Sequence, residues 1–372
     1  MVNIPPDLLL DRSSFCGNVL GMNSNQSTSP LSNRTIRKIL ILRFSSFGDI
    51  VQCFSAADHL ANGFPQAEIH WAVRNDSADL VSSHPKVHRI LSLDRKSGWL
   101  GLWKLAKKMR SENYTHIYDA HCNLRSHILT WILLFPFFGG PTFLRRKKHR
   151  IKRWFLLKLG WKVLPWPFRA SQSFVLPLEK WNIRWQESLG RDLRLPELPK
   201  NLFSSLHHPN FKLSDAIIVA PSAAWEMKRW PIESWTELIR QMEERIFIVV
   251  GGPADDFCSV IQKMFPNRTI NLAGKLSWLE TSRLIREARA VVSGDTGVLH
   301  LSDYLNKPTF ALIGPTAFGF PSWKNSKVIE IDLPCRPCTK DGRGKCSQAL
   351  YKKCLVDISP QLVSTTLRGS LL

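Results

Sequence analysis

Short apolar runs alternate with helix-patterned segments twice along this chain, and that alternation restricts its fold more than any other feature. Lys38–Phe44 reads KILILRF, an uninterrupted run of the kind found in a strand buried on both faces. Ser45-Ser46-Phe47-Gly48-Asp49 interrupts it, and the following IVQCFSAADHLANGF predicts a helix. AEIHWAV predicts a second strand, LWKLAKKMRSEN a second helix and THIYDA a third strand. The order β-α-β-α-β predicts a parallel sheet with helices on its faces. From Ala216 a second series begins: AIIVAPS, RIFIVVGG, TINLAG, RAVVSG and PTFALIG as strands, with helical segments between them.

Two such series predict an α/β protein of two Rossmann-like parallel-sheet domains facing a central cleft. The N-terminal domain is expected over residues 35–205 and the C-terminal domain over residues 206–372. The stretch from about Pro177 to Ser214 is rich in Pro, Leu and charge and only weakly periodic, so the connection is expected there. Residues 1–34, rich in Ser and Asn, are expected to be a flexible extension. The N-terminal MVNIPPDLLLDRSSF has no basic region followed by an apolar one, so no secretory signal is expected.

Composition narrows the partners. Of 372 residues 44% are hydrophobic and 22% charged, enough apolar material for a sizeable core. Lys and Arg number 51 against 30 Asp and Glu, a net charge of +21, which points to a polyanion: nucleic acid, an anionic membrane surface, or a phosphorylated or acidic sugar. The densest block, Arg145–Arg153, holds seven Lys or Arg in nine positions. The apolar stretch Leu129–Leu144 contains two Pro and two Gly and falls short of the roughly 20 residues that span a bilayer. A buried or membrane-surface segment is expected there.

Four segments carry candidate chemistry. Ser46, Gly48 and Asp49 follow the first strand, where ligands of open α/β sheets bind. Asp49 either caps the next helix or projects into the crevice. Pro221–Pro231 (PSAAWEMKRWP) combines small residues, the Ser222 hydroxyl, Lys228 and Arg229, suited to a diphosphate or to a solvated loop. Ser293–Leu301 (SGDTGVLHL) places a small polar turn before a helix, whose N-terminus attracts anions. Thr296 and His300 share a face of that helix, though a histidine there also suits a satisfied core position. Cys335, Cys338, Cys346 and Cys354 crowd into twenty residues; they fit a tetrahedral metal, free thiols or disulfides, and the seven-residue gaps are unlike a zinc ribbon.

Taken together, KILILRFSSFGDIV, FPQAEIHWAVR, HIYDAHCNLRS, PSAAWEMKRWP, FIVVGG, the stretch from NLAGKL to SGDTGVLHL, Gly314-Pro315-Thr316 and the terminal cysteines resemble the ADP-heptose:lipopolysaccharide heptosyltransferases, glycosyltransferase family 9, over Lys38 to about Asp357. The resemblance implies a GT-B fold, with an N-terminal acceptor domain and a C-terminal donor domain. It implies inverting transfer of a heptose or related sugar from an ADP-sugar to an anionic lipopolysaccharide core or lipid-linked acceptor. Asp49 falls on the general base and Lys228 on the lysine that meets the donor phosphates. Ser222, Asp295, Thr296, Gly297 and His300 fall on donor-binding positions, and Asp255 or Asp256 on the ribose-holding acid. Ser46, Gly48, Arg74 and Arg125 fall on the acceptor side. No Asp-x-Asp motif is present, so transfer without a metal or other cofactor is expected.

The basic block would face the anionic acceptor or the inner leaflet, implying a cytoplasmic enzyme peripheral to the inner face of the cytoplasmic membrane, with no nucleic-acid partner. The cysteine cluster is expected to be structural and away from the reacting sugar. Phe47 departs from the smaller aliphatic residue common in the turn, and His121-Cys122 from the familiar pairs. Two other classes fit the charge or fold: a non-catalytic nucleotide-binding protein and a nucleic-acid-binding protein, for which no recognition motif is present.

Overall fold

The computed structural model describes residues 36–135, 140–161, 163–204 and 211–371. The extension expected over residues 1–34 lies outside the described residues, as do residues 205–210 of the expected connection.

The first series forms β1 (Lys38–Leu42), α1 (Phe47–Gly63), β2 (Glu68–Arg74), α2 (Ala78–Ser82), β3 (Arg89–Leu93), α3 (Gly98–Arg110), β4 (His116–Asp119), α4 (Leu124–Leu134) and β5 (Thr142–Arg145). Helices α5 (Arg150–Leu159) and α6 (Ala170–Val175) follow. The strands form one parallel sheet, ordered β3-β2-β1-β4-β5. Sequence pattern located β1, β2 and β4 but not the edge strands β3 and β5. An edge strand buries one face only, so it shows no continuous apolar run; β3 keeps Arg89 exposed at its start and Ser92 exposed between buried Leu91 and Leu93. The apolar stretch Leu129–Leu144 divides into the end of α4 and the start of β5, with residues 136–139 outside the described set. Among the described residues no helix is long and apolar enough to cross a membrane.

The second series forms β6 (Ile217–Ala220), α7 (Ile232–Gln241), β7 (Phe247–Val249), α8 (Cys258–Met264), β8 (Thr269–Asn271), α9 (Trp278–Glu287), β9 (Ala290–Gly294), α10 (Gly297–Tyr304), β10 (Thr309–Leu312) and β11 (Ser326–Ile329), closed by α11 (Lys353–Val356) and α12 (Pro360–Leu371). This sheet is also parallel, ordered β11-β10-β9-β6-β7-β8. PTFALIG, read as the last strand, is β10; the half-exposed edge strand β11 lies between it and the cysteines.

In each sheet the order reverses beside the first strand of its series, at β1/β4 and at β6/β9. A crevice opens outside the carboxyl ends of strands at such a point. Register sharpens this: Leu42 lies beside Asp119, and Ala220 beside Ser293. The loops carrying Ser222 and Asp295 are therefore neighbours although they are some seventy positions apart in sequence.

What joins the two series is a pair of buried helices. Ile50 through Leu60 of α1 are all buried, as are Val298 through Tyr304 of α10, and the two helices pack on each other. Gln52 meets His300, and further along both helices the Tyr304 hydroxyl donates to Asp58 Oδ2 at 2.9 Å. Contacts advance in the same direction along both helices, so α1 and α10 run side by side with their N-termini at the same end.

Candidate active site

Both helix starts open onto one cleft of about 890 Å³. At the α1 end, Ser46 caps the helix and Asp49 sits at its third position. The Asp49 carboxylate accepts the Ser46 hydroxyl at 2.8 Å and the Ser46 N–H at 3.4 Å, so the capping role is realised. The same side chain remains 41% exposed to the cleft and pairs with Arg43 at 2.5 Å. Desolvation pushes the carboxyl up, but the Arg43 guanidinium, the Ser46 hydroxyl and Arg146 outweigh it and hold Asp49 at about 2. Asp49 is thus both cap and cleft carboxylate.

Arg43 ends the apolar run of β1 and is only 5% exposed. Its guanidinium donates to the Ala120 carbonyl at 3.0 Å and lies over the Phe174 ring. Sequence reasoning passed over it; a cation at the end of a doubly buried strand was the available signal. Nearby stand Arg146, Lys148 and Arg153, so the basic block supplies the cleft wall. Arg146 donates to the Ser173 hydroxyl at 2.6 Å and lies over Phe174. Burial, then the neighbouring Arg146, pulls Arg153 down to about 10; burial and then Arg43 also lower Lys148. The block is not one solvated patch: Arg145 turns to Asp119 at 2.7 Å, while Lys147, Arg150 and Lys152 are exposed.

At the α10 end, Thr296 is the N-cap and Gly297 the first helical residue. Lys228 comes from the β6–α7 loop and reaches Asp295 at 3.2 Å; His300 Nε2 lies 3.4 Å from the same carboxylate. Burial opposes the ionised form of Asp295, but Lys228 and His300 hold its pKa well below the usual carboxylate range. Asp295 therefore acts on two neighbours, fixing the lysine and the imidazole. Ser222 donates to Asp255 Oδ2, which also accepts the Gly252 N–H at 2.6 Å. Asp255 lines the cleft, whereas Asp256 is exposed on the adjoining turn and does not. Beyond Asp255 the cleft continues as an apolar lobe walled by Pro253, Leu272, Leu276 and Trp278.

The two helix starts nearly touch. A Cβ on Gly48 would lie 2.9 Å from His300 Cδ2, and one on Gly297 would lie 2.7 Å from Phe47 Cδ1. Phe47, the departure from the smaller residue, stacks on Trp278 with ring centroids 3.7 Å apart. Gln52 Nε2 lies 3.0 Å from the His300 ring nitrogens; this cleft residue was also missed, although it shares the helix face of Gly48. Gly297→Ala is expected to force the Phe47 ring aside, at about 1–3 kcal/mol, the usual cost of overpacking. A Phe47→Ala change in the same chain is expected to recover most of that loss. Thermal midpoints of the two singles and the double check it.

The two acceptor-side arginines stand elsewhere. Arg74 is paired with Asp76 at 2.6 Å, Arg125 is exposed on α4, and neither lines the cleft. The cysteine segment also differs from expectation. Its loop enters the cleft: Lys340 and Asp341 line it, and Gly342, at φ +91°, lies so close to Lys228 that a Cβ would sit 2.6 Å from Cγ and Cδ. Thus the segment reaches Lys228. All four cysteines are thiols, and burial pushes Cys354 up to about 11. Among the described residues no group of three or more His, Cys, Asp or Glu is arranged to hold a metal ion.

The profile of glycosyltransferase family 9 (heptosyltransferase) matches residues 102–349. The chain belongs to glycosyltransferase family 9. It is 27% identical over 373 aligned residues to lipopolysaccharide heptosyltransferase 1 of Pseudomonas aeruginosa, covering 90% of this chain and 98% of that protein. It is 27% identical over 355 residues to lipopolysaccharide heptosyltransferase 2 of Escherichia coli, covering 90% and 99%. Among solved structures, ADP-heptose lipopolysaccharide heptosyltransferase II of E. coli matches with a TM-score of 0.65 and 22% identity, over 90% of this chain and 98% of that one. A family 9 glycosyltransferase from Veillonella parvula matches with a TM-score of 0.70 and 17% identity, over 91% and 98%. These likenesses establish the GT-B fold, and family membership makes the protein a glycosyltransferase. Asp49 and Lys228 stand together in the lining of the same cleft.

Proposed function

We propose that this family 9 enzyme moves a heptose from ADP-heptose to an anionic sugar of a lipopolysaccharide core, with inversion at the anomeric carbon. The observation that carries this reading is the side-by-side packing of α1 and α10, which opens a carboxylate and an anion-binding helix start onto one cleft. The apolar lobe beside Trp278 takes the adenine, and Asp255 the ribose. The diphosphate lies against the N–H groups of Thr296 and Gly297 and against Lys228. These charges stabilise the departing diphosphate, the task that a divalent cation performs in some transferases.

Asp49 accepts the proton of the attacking hydroxyl. A carboxylate held near 2 is ionised at every working pH, yet it is a weak base. Two effects compensate. The hydroxyl becomes acidic as its oxygen bonds to the anomeric carbon. An anionic acceptor that engages Arg43 and Arg146 also draws their charge away from Asp49 and raises its basicity. The cationic wall thus serves acceptor binding and couples it to proton transfer. Because the acceptor is lipid-linked, the enzyme works at the inner face of the cytoplasmic membrane.

Screening nucleotide sugars for ADP release, with and without a lipopolysaccharide core acceptor and in the presence of a chelator, tests the proposal. Acceptor-dependent release from ADP-heptose that survives chelation is expected. ADP binding with no turnover on any acceptor would leave a nucleotide-binding protein instead.

A further inference from the structure

Helices α3 and α4 cover the face of the first sheet opposite α1. Leu102, Leu105, Leu129 and Leu133 pack inward on Leu40, Leu42 and Leu91. Their outer sides are unusually apolar for a solvent-facing surface. Trp99 is 67% exposed, Leu100 74%, Trp103 55% and Trp131 62%. Between the two helices runs an apolar groove of about 330 Å³, lined by Trp99, Leu100, Leu102, Trp103, Ile128 and Ile132. A contiguous exposed patch of this kind marks an interaction site.

The charges around it select the partner. Lys104, Lys107, Lys108 and Arg110 are all exposed on α3, and neither α3 nor α4 contains an Asp or a Glu. The last turn of α3 is a favourable place for cations because of the helix dipole, but that effect explains neither the exposed tryptophans nor the absence of acids. A second copy of this chain would bring the same cations face to face across a two-fold interface. An anionic surface that also accepts indole rings meets both demands, and a phospholipid bilayer has that chemistry: tryptophans settle at the headgroup level while lysines reach anionic headgroups. Both helices start at the carboxyl ends of strands, the edge at which the cleft opens, so this face would hold the cleft beside the lipid.

We propose that the outer face of α3 and α4 docks the enzyme on anionic phospholipid. The purpose of such docking rests on the reading of a lipid-linked acceptor, but the surface itself is tested without any acceptor. Flotation of the full chain is measured with vesicles of phosphatidylcholine alone and with one third phosphatidylglycerol. Two variants are compared: Trp99→Ser with Leu100→Ser and Trp103→Ser, and Lys104→Glu with Lys107→Glu and Lys108→Glu. The wild-type chain is expected to bind the anionic vesicles and to be released by salt. Each variant is expected to bind at least about tenfold more weakly, with circular dichroism and ADP affinity unchanged; unchanged ADP affinity keeps this result separate from the transferase reading. Four results would overturn the proposal. These are no binding by the wild-type chain, undiminished binding by both variants, loss of binding on changing only the exposed Ile151 and Trp154 of α5, and a wild-type dimer that the patch variants convert to monomer.

Discussion

Asp49→Asn is expected to slow glycosyl transfer by about 10²- to 10⁴-fold, the range over which a positioned base contributes. Affinity for ADP should stay within about twofold, because the carboxylate belongs to α1 and the proposed diphosphate site to α10. The amide is nearly isosteric. Its oxygen can still accept from Ser46 and from Arg43, so the helix start and the buried guanidinium keep a partner. What it cannot do is take a proton at neutral pH. Single-turnover rates with acceptor in excess, together with ADP titration, check the prediction, and near-normal turnover would leave Asp49 as a cap alone. The ion pair also has a pH signature. The pKa of Asp49 is lowered from 3.8 to about 2 on folding, so its stabilising contribution is present above about pH 4 and is lost as pH falls through 2. In Asp49→Asn that part of the acid sensitivity should vanish.

Lys228→Ala is expected to weaken ADP binding by about ten- to a hundredfold, as loss of a hydrogen bond to a charged group does, and to slow transfer further. In the proposed reading the same ammonium meets the diphosphate in the ground state and as it departs, so affinity and rate should fall together, unlike the split expected for Asp49. Calorimetric titration with ADP beside steady-state kinetics checks this; unchanged affinity and rate would remove Lys228 from the site. The substitution also strips Asp295 of its nearest full positive charge, leaving a nearly buried carboxylate with His300. The pKa of Asp295 is lowered in the folded state, so the lost stability should be greatest at neutral pH and should shrink as acid protonates the group in both chains. Above about pH 4 the effect is constant, so thermal midpoints measured from pH 7 down to pH 2 follow the change.

Much of this protein is legible in one dimension. The central strands are, because burial on both faces demands consecutive apolar residues, as in KILILRF and RAVVSG. The turns at Ser46–Asp49 and Asp295–Gly297 are, because small and acidic residues after a parallel strand must start a helix at the sheet's carboxyl edge. The edge strands β3, β5 and β11 are not, since half-burial dilutes the pattern. Nor is the placement of Arg74 and Arg125, neither of which lines the cleft. Asp255 and Asp256 are equivalent as letters, and only the turn after β7 aims the first at Ser222 and leaves the second in solvent.

What the sequence by itself determined is local: which segments are strands, where the helices begin, and that two parallel sheets follow one another. Only the tertiary structure decided which loops share a cleft, since register sets Ala220 beside Ser293 and burial packs α1 along α10. It also decided what the cations do. A run of seven Lys and Arg has no direction in sequence; Asp119 takes Arg145, the Phe174 face takes Arg146, the Phe318 face takes Arg153, Lys148 lines the cleft, and Lys147, Arg150 and Lys152 are left to water. The physical reason is that periodicity records burial along one element, whereas a site is made where the ends of several elements meet. Those meetings depend on packing between residues hundreds of positions apart, as Gly48 and His300 are.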